Sequence, residues 1–204
     1  MEQFLELKLF KEILTIKNMS IEEKEYKFKI TVVGNPAVGK TTLVKKYTTG
    51  SFQKEYISTL GAQFSNYEEM IEGKQVKLFI WDIAGQETFE MMRRKFYNGS
   101  SGAIIVFSHA PEELKSFNHI EKWFNELKKY CGDIPIAIFG NKVDLINENE
   151  LISNEDKVNS DFNVGKFVNE HNIIEYFKTS ALTGQGVIEA FQKLVRVLYF
   201  KVSM

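Results

Sequence analysis

The chain has 204 residues and a formal net charge of −1, the size of one ordinary domain. Its 44% hydrophobic content, with 17 Phe, suffices for a sizeable core, and the near-neutral balance excludes nucleic-acid binding through a clustered basic face. A single cysteine, Cys131, excludes an internal disulfide and suits a reducing compartment, and no apolar run reaches the ~18 residues of a membrane span.

Residues 2–17 place Leu5, Leu9, Ile13 and Ile16 on one helical face, with Lys8, Lys11, Glu12 and Thr15 opposite. The pattern predicts an amphipathic helix within an N-terminal extension, residues 1–24. Three readings stay open: it lies in a membrane interface, it packs on the domain, or the protein starts at Met19. Lipid anchoring is not expected, because residue 2 is Glu and no C-terminal cysteine is present. The expected location is cytoplasmic, with any membrane contact peripheral and made through residues 2–17.

From residue 25 to 204 short β-rich runs alternate with helical patterns, which predicts an α/β domain with a mostly parallel sheet. A strand over 26–33 leads through glycine into a helix over 39–49. Extended segments 63–71 and 75–82 are joined by Glu72-Gly73-Lys74, a hairpin that makes one strand antiparallel to the rest. Residues 103–108 and 134–140 read as fully buried strands. Between them 111–130 reads as one long helix with Pro111 in its first turn. Basic clusters such as Lys45-Lys46 and Arg93-Arg94-Lys95 read as solvated helix faces. A polar insertion near 146–160 reads as a surface loop, 173–179 as the last strand, and Val187, Phe191, Leu194, Val195 and Leu198 line a closing helix. The expectation is a six-stranded sheet with helices on both faces.

Three motifs carry chemistry. Gly34-Asn-Pro-Ala-Val-Gly39-Lys40-Thr41 matches G-x-x-x-x-G-K-S/T between a strand and a helix. Backbone N–H groups there cradle phosphate, Lys40 reaches the β- and γ-phosphates, and Thr41 offers a hydroxyl to Mg²⁺. The bland alternative is a Gly-rich turn with an incidental lysine. Asn141-Lys142-Val143-Asp144 follows a buried strand, where open α/β sheets bind ligands. The Asp144 carboxylate can accept from guanine N1–H and the exocyclic amine together, a donor pair adenine lacks; Asn141 braces the purine and Lys142 covers one base face. Trp81-Asp82-Ile83-Ala84-Gly85-Gln86 sits at another strand end. Asp82 can hold the Mg²⁺ shell, Gly85 can offer an N–H to the γ-phosphate, and Gln86 can orient the attacking water. A plain turn after a strand is the alternative.

In this order the motifs resemble the Ras superfamily of small GTPases, over about residues 26–200. The resemblance implies GTP and GDP as ligands with Mg²⁺, and a P-loop GTPase domain. It implies nucleotide contacts from Gly34, Ala37, Val38, Gly39, Lys40, Thr41, Thr42, Phe52, Thr59, Gly85, Asn141, Lys142, Asp144, Ser180, Ala181 and Leu182. Thr41, Thr59 and Asp82 become the metal ligands and Gln86 the catalytic residue. Leu60-Gly-Ala-Gln-Phe64, Lys77-Leu-Phe-Ile-Trp-Asp82 and Phe96-Tyr-Asn-Gly99 are most similar to the Rab branch. Phe64, Trp81 and Phe96 are then an aromatic triad offered to effectors, or else ordinary core.

The family implies slow intrinsic hydrolysis, a switch with two mobile loops, a place in membrane trafficking, and exchange-factor and GTPase-activating partners. Four departures stand out: Pro36 in the phosphate loop, Leu182 in place of a lysine, the insertion after Asp144, and the missing prenylation site. Pro36 keeps open a rival reading, a scaffold that holds guanine nucleotide without turning it over. An ATP-using P-loop enzyme is the second rival, and Asp144 speaks against it.

Overall fold

A computed structural model describes residues 25–49, 53–57, 61–147 and 158–204. The expectations for residues 1–24, for Phe52 and Thr59, and for most of the polar insertion lie outside the described residues.

Strands β1 (Tyr26–Gly34), β2 (Gln53–Ile57), β3 (Ala62–Ile71), β4 (Lys74–Ile83), β5 (Gly102–Ser108), β6 (Ile136–Asn141) and β7 (Tyr176–Lys178) form one sheet in the order β2-β3-β4-β1-β5-β6-β7. The expected class holds. β3 alone runs against the others, antiparallel to both β2 and β4, while β1–β4, β1–β5, β5–β6 and β6–β7 are parallel. A seventh strand, β2, corrects the expected count of six: it extends the edge by pairing Gln53–Ile57 with Ala62–Asn66. Side chains alternate across the sheet. Ile104 and Val106 of β5 enter one core with α1 (Lys40–Tyr47) and the closing helix Val187–Ser203, and Ile105 and Phe107 enter the other. That second core is covered by α2 (Glu90–Tyr97), α4 (Ile120–Cys131) and α5 (Asp161–Glu170).

Several boundaries differ from expectation. The single helix over 111–130 is a 3₁₀ turn (Pro111–Glu113), a short α3 (Lys115–Asn118) and α4, parted at His119. Two bonds flank that break: Ser116 Oγ accepts from Ser108 N–H at 2.9 Å, and the His119 ring meets the distant Asn35 amide at 2.8 Å. β6 begins at Ile136 rather than 134 because Pro135 has no N–H to give the ladder. β7 is shorter than 173–179 because the Ile173 N–H bonds back to Val168 O in α5. Helix α5 itself was not expected; Ser160 caps it, accepting from Asn163 N–H. The Val187–Ser203 helix, α6, is as expected.

β1 is the switch point. After β1 the chain builds β2, β3 and β4 on one side of it and then β5, β6 and β7 on the other, and the carboxyl ends of β1, β4, β5 and β6 open onto one edge.

Candidate functional site

At that edge β1 runs out into the loop 34–39. Left-handed backbone at Ala37 (φ +65°) and Gly39 (φ +97°) folds the loop back on itself, the geometry in which N–H groups converge on an anion. Val38 is buried while Pro36 and Ala37 are exposed. Helix α1 starts at Lys40, whose side chain is 7% exposed and whose Nζ donates to Gly34 O at 2.9 Å and Asn35 O at 2.8 Å. Burial pushes the Lys40 pKa down to about 8; the Asp82 carboxylate opposes that, and Arg93 adds to it. Thr42 faces solvent from the same helix.

In the reading of Lys40 as a phosphate-binding group, a polyphosphate beside the ammonium raises its pKa, and binding takes up a proton wherever the free protein is partly deprotonated, from about pH 7.5 upward. Calorimetry of GDP binding at pH 8 in buffers of different ionisation heat is expected to find uptake of about half a proton, lost in Lys40→Met. No uptake in the parent protein would contradict this.

Parallel pairing of β1 with β4 sets Val32 beside Asp82, so the first motif and the second meet. Asp82 is 7% exposed, and the Thr41 hydroxyl donates to its Oδ2. Burial raises the Asp82 pKa, against the Thr41 hydrogen bond and the Lys40 charge. Hydroxyl and carboxylate oxygens are hard donors that suit a small divalent cation drawing its remaining ligands from water and phosphate. Lys40, Thr41 and Asp82 share a cleft of about 730 Å³ with Pro36, Gly85 and Gln86. Gly85 lies so close to the phosphate loop that a Cβ on it would fall 2.2 Å from Gly34 O and 2.8 Å from Pro36 N. Gln86 is exposed at the mouth of the cleft.

The third motif joins the same edge. Asn141 is fully buried; its Nδ2 donates to Val38 O at 2.8 Å, and its Oδ1 accepts from Ala181 N–H at 3.0 Å. One amide thus ties the phosphate loop to the loop after β7. Asp144 is exposed, and the Ser180 hydroxyl donates to its Oδ1 while accepting from Thr183 N–H at 3.1 Å. Lys142 takes left-handed backbone (φ +65°) and its Nζ sits 2.8 Å from both carboxylate oxygens of Glu113. Leu182 is 76% exposed beside them.

Residues of all three motifs converge, and the sequence reading missed several that hold them. Glu113 anchors Lys142. Asn35, inside the phosphate loop, accepts from Trp123 Nε1–H at 3.0 Å. Arg93 corrects the expectation of a solvated basic face: it is 1% exposed and bound to Glu126, whereas Lys45 and Lys46 do face water. The signal for Arg93 was its place, four residues before Tyr97, on the apolar side of an unrecognised helix. The half-buried rings of Phe64, Trp81 and Phe96 form a chain on the sheet, with centroids 5.3 Å apart at each step.

Comparison with known proteins agrees with this geometry. The model of the Ras family matches residues 29–200. The chain is 34% identical over 179 residues to Ras-related protein Rab-4 of Dictyostelium discoideum, covering 87% of this chain and 82% of that protein. It is 35% identical over 175 residues to GTP-binding protein YPT1 of Saccharomyces cerevisiae, covering 85% of this chain and 80% of that one. Matches of this reach show the family: the chain belongs to the Ras family and is a Rab-like small GTPase.

Proposed function

We propose that the protein is a Mg²⁺-dependent GTP/GDP switch with slow intrinsic hydrolysis, read out through two loops and acting in membrane trafficking. The observation that carries this reading is the fit of Gly85 against the phosphate loop, which holds Gln86 at the mouth of the cleft floored by Lys40, Thr41 and Asp82. In it, the loop N–H groups from Gly34 to Lys40 and the Lys40 ammonium bind the β- and γ-phosphates. Thr41 and Asp82, with Thr59 when GTP is bound, would hold Mg²⁺, which would supply charge neutralisation at the phosphates. Asp144 reads guanine, Asn141 and Lys142 support it, Phe52 stacks near the base, and the Ser180-Ala181-Leu182 loop closes over it. Gln86 orients the water. Release of the γ-phosphate frees Gly85 and Thr59, and the loop change is the signal.

Residues 52–59 contain no arginine, so a GTPase-activating partner supplies that charge in trans. Effectors dock on the ring chain of Phe64, Trp81 and Phe96, and an exchange factor opens the site. The domain is residues 25–204, and any membrane contact is peripheral and made through residues 2–17 of the extension 1–24. Among the described residues no helix is long and apolar enough to cross a membrane.

Single-turnover hydrolysis of bound GTP tests the reading. Gln86→Leu is expected to slow it about 10-fold or more while leaving GDP affinity unchanged. Tight binding with no hydrolysis in either protein would favour the scaffold reading that Pro36 suggests.

A further inference from the structure

Arg93 makes more contacts than a structural ion pair requires. Its guanidinium is buried on α2, and Nε and Nη2 donate to Glu126 on α4, at 2.9 Å to Oε1 and 3.3 Å to Oε2. Tyr97 OH donates to the same carboxylate at 2.9 Å. The remaining arm, Nη1, donates to the backbone carbonyl of Gln86 at 2.8 Å. The guanidinium also lies over the Trp123 ring, 5.0 Å from its centroid, and the Trp123 indole N–H holds Asn35 of the phosphate loop at 3.0 Å.

Each link has a reason. Glu126 compensates a buried cation, without which the charge would be strongly destabilising. A guanidinium is planar with donors on separate edges, so it can grip a carboxylate with one edge and a carbonyl with another; an ammonium cannot span both. Fixing the Gln86 carbonyl fixes the peptide plane after Gln86, and with it the direction in which that side chain leaves the backbone. On the far side of the cleft, Asn35 is fixed through Trp123. Helix α4 is therefore the common reference for the phosphate loop and for Gln86.

We propose that Arg93 is a positioning residue for GTP hydrolysis, holding Gln86 in register with the phosphate loop through Glu126 and Trp123 of α4. This rests on the reading of Gln86 as the group that orients water. In this role Arg93 acts through Gln86 alone. A displacement of about 1 Å in such a group is enough to slow chemistry substantially without weakening binding.

The test is single-turnover GTP hydrolysis alongside GDP dissociation and thermal unfolding, in parent, Arg93→Lys, Gln86→Leu and the double variant. Arg93→Lys keeps the charge opposite Glu126 and so retains the fold. It is expected to hydrolyse GTP about 10-fold more slowly, with GDP dissociation within about 2-fold of the parent. In the Gln86→Leu background it should add nothing further, because both changes then remove one function. The pair Arg93→Met with Glu126→Gln, which removes both buried charges together, should slow hydrolysis to the same degree. An Arg93→Lys protein that turns over at the parent rate would overturn the inference, as would an equal slowing in the presence and absence of Gln86. If Gln86→Leu itself hydrolyses at the parent rate, the reading of Gln86 fails, and the inference with it.

Discussion

Asp144→Asn is expected to weaken GTP and GDP binding by at least about 100-fold and to transfer preference to xanthine nucleotides. The carboxylate stands exposed just beyond the end of β6, past Asn141 and Lys142, and in the proposed reading it faces the pyrimidine edge of the base. Each hydrogen bond from guanine to a charged carboxylate contributes about 1.5–3 kcal/mol; the amide loses one outright and keeps only a neutral acceptor for the other. The amide puts an N–H where guanine also has one, and that repulsion disappears with xanthine, whose second carbonyl accepts. Folding should survive the change, since the asparagine oxygen can still accept from the Ser180 hydroxyl that now meets Asp144. Affinities for GDP and xanthosine diphosphate in both proteins measure the effect. An unchanged preference for guanine would remove Asp144 as the base reader.

Gly39→Ala is expected to be the more damaging substitution, because it breaks the joint between the phosphate loop and the base loops. The residue sits at φ +97°, where an L side chain is strained, and its Cβ would lie 2.3 Å from Asn141 Nδ2. That nitrogen cannot yield freely, since it donates to Val38 O while the other end of the amide accepts from Ala181 N–H. Strain costs about 1–3 kcal/mol, and an unpaired buried amide adds about as much again. The expected result is a loss of about 3 kcal/mol in stability and GDP dissociation faster by about 100-fold or more. Denaturant unfolding and a dissociation time course measure the two. Parent-like dissociation would mean that the Asn141 brace has no part in holding nucleotide.

What could be read from the sequence was what the chain encodes contiguously. The phosphate loop needs glycines, a lysine and a hydroxyl within one turn. β5 and β6 announce themselves as unbroken apolar runs because both their faces are covered. What stayed hidden depends on partners far along the chain. Arg93 looked like one of three solvated cations because Glu126, which explains its burial, comes more than thirty residues later. The break at His119 depends on Asn35, and the hold on Lys142 depends on Glu113, 29 residues earlier. β2 forms on the edge only through its register with β3, and its own Gln-Lys-Glu-Tyr-Ile is too polar to declare a strand. Helix α5 was obscured by the polar insertion before it and by Gly165 within it, although Val164, Phe167 and Val168 carry its buried side.

The most direct test of the central claim is to incubate nucleotide-free protein with labelled GTP or ATP and Mg²⁺, then follow the bound label. The expected result is one GTP bound per chain and slow, single-exponential conversion to bound GDP, with ATP neither retained nor cleaved. Equal retention of ATP, or GTP held unchanged in the presence of Mg²⁺, would contradict it.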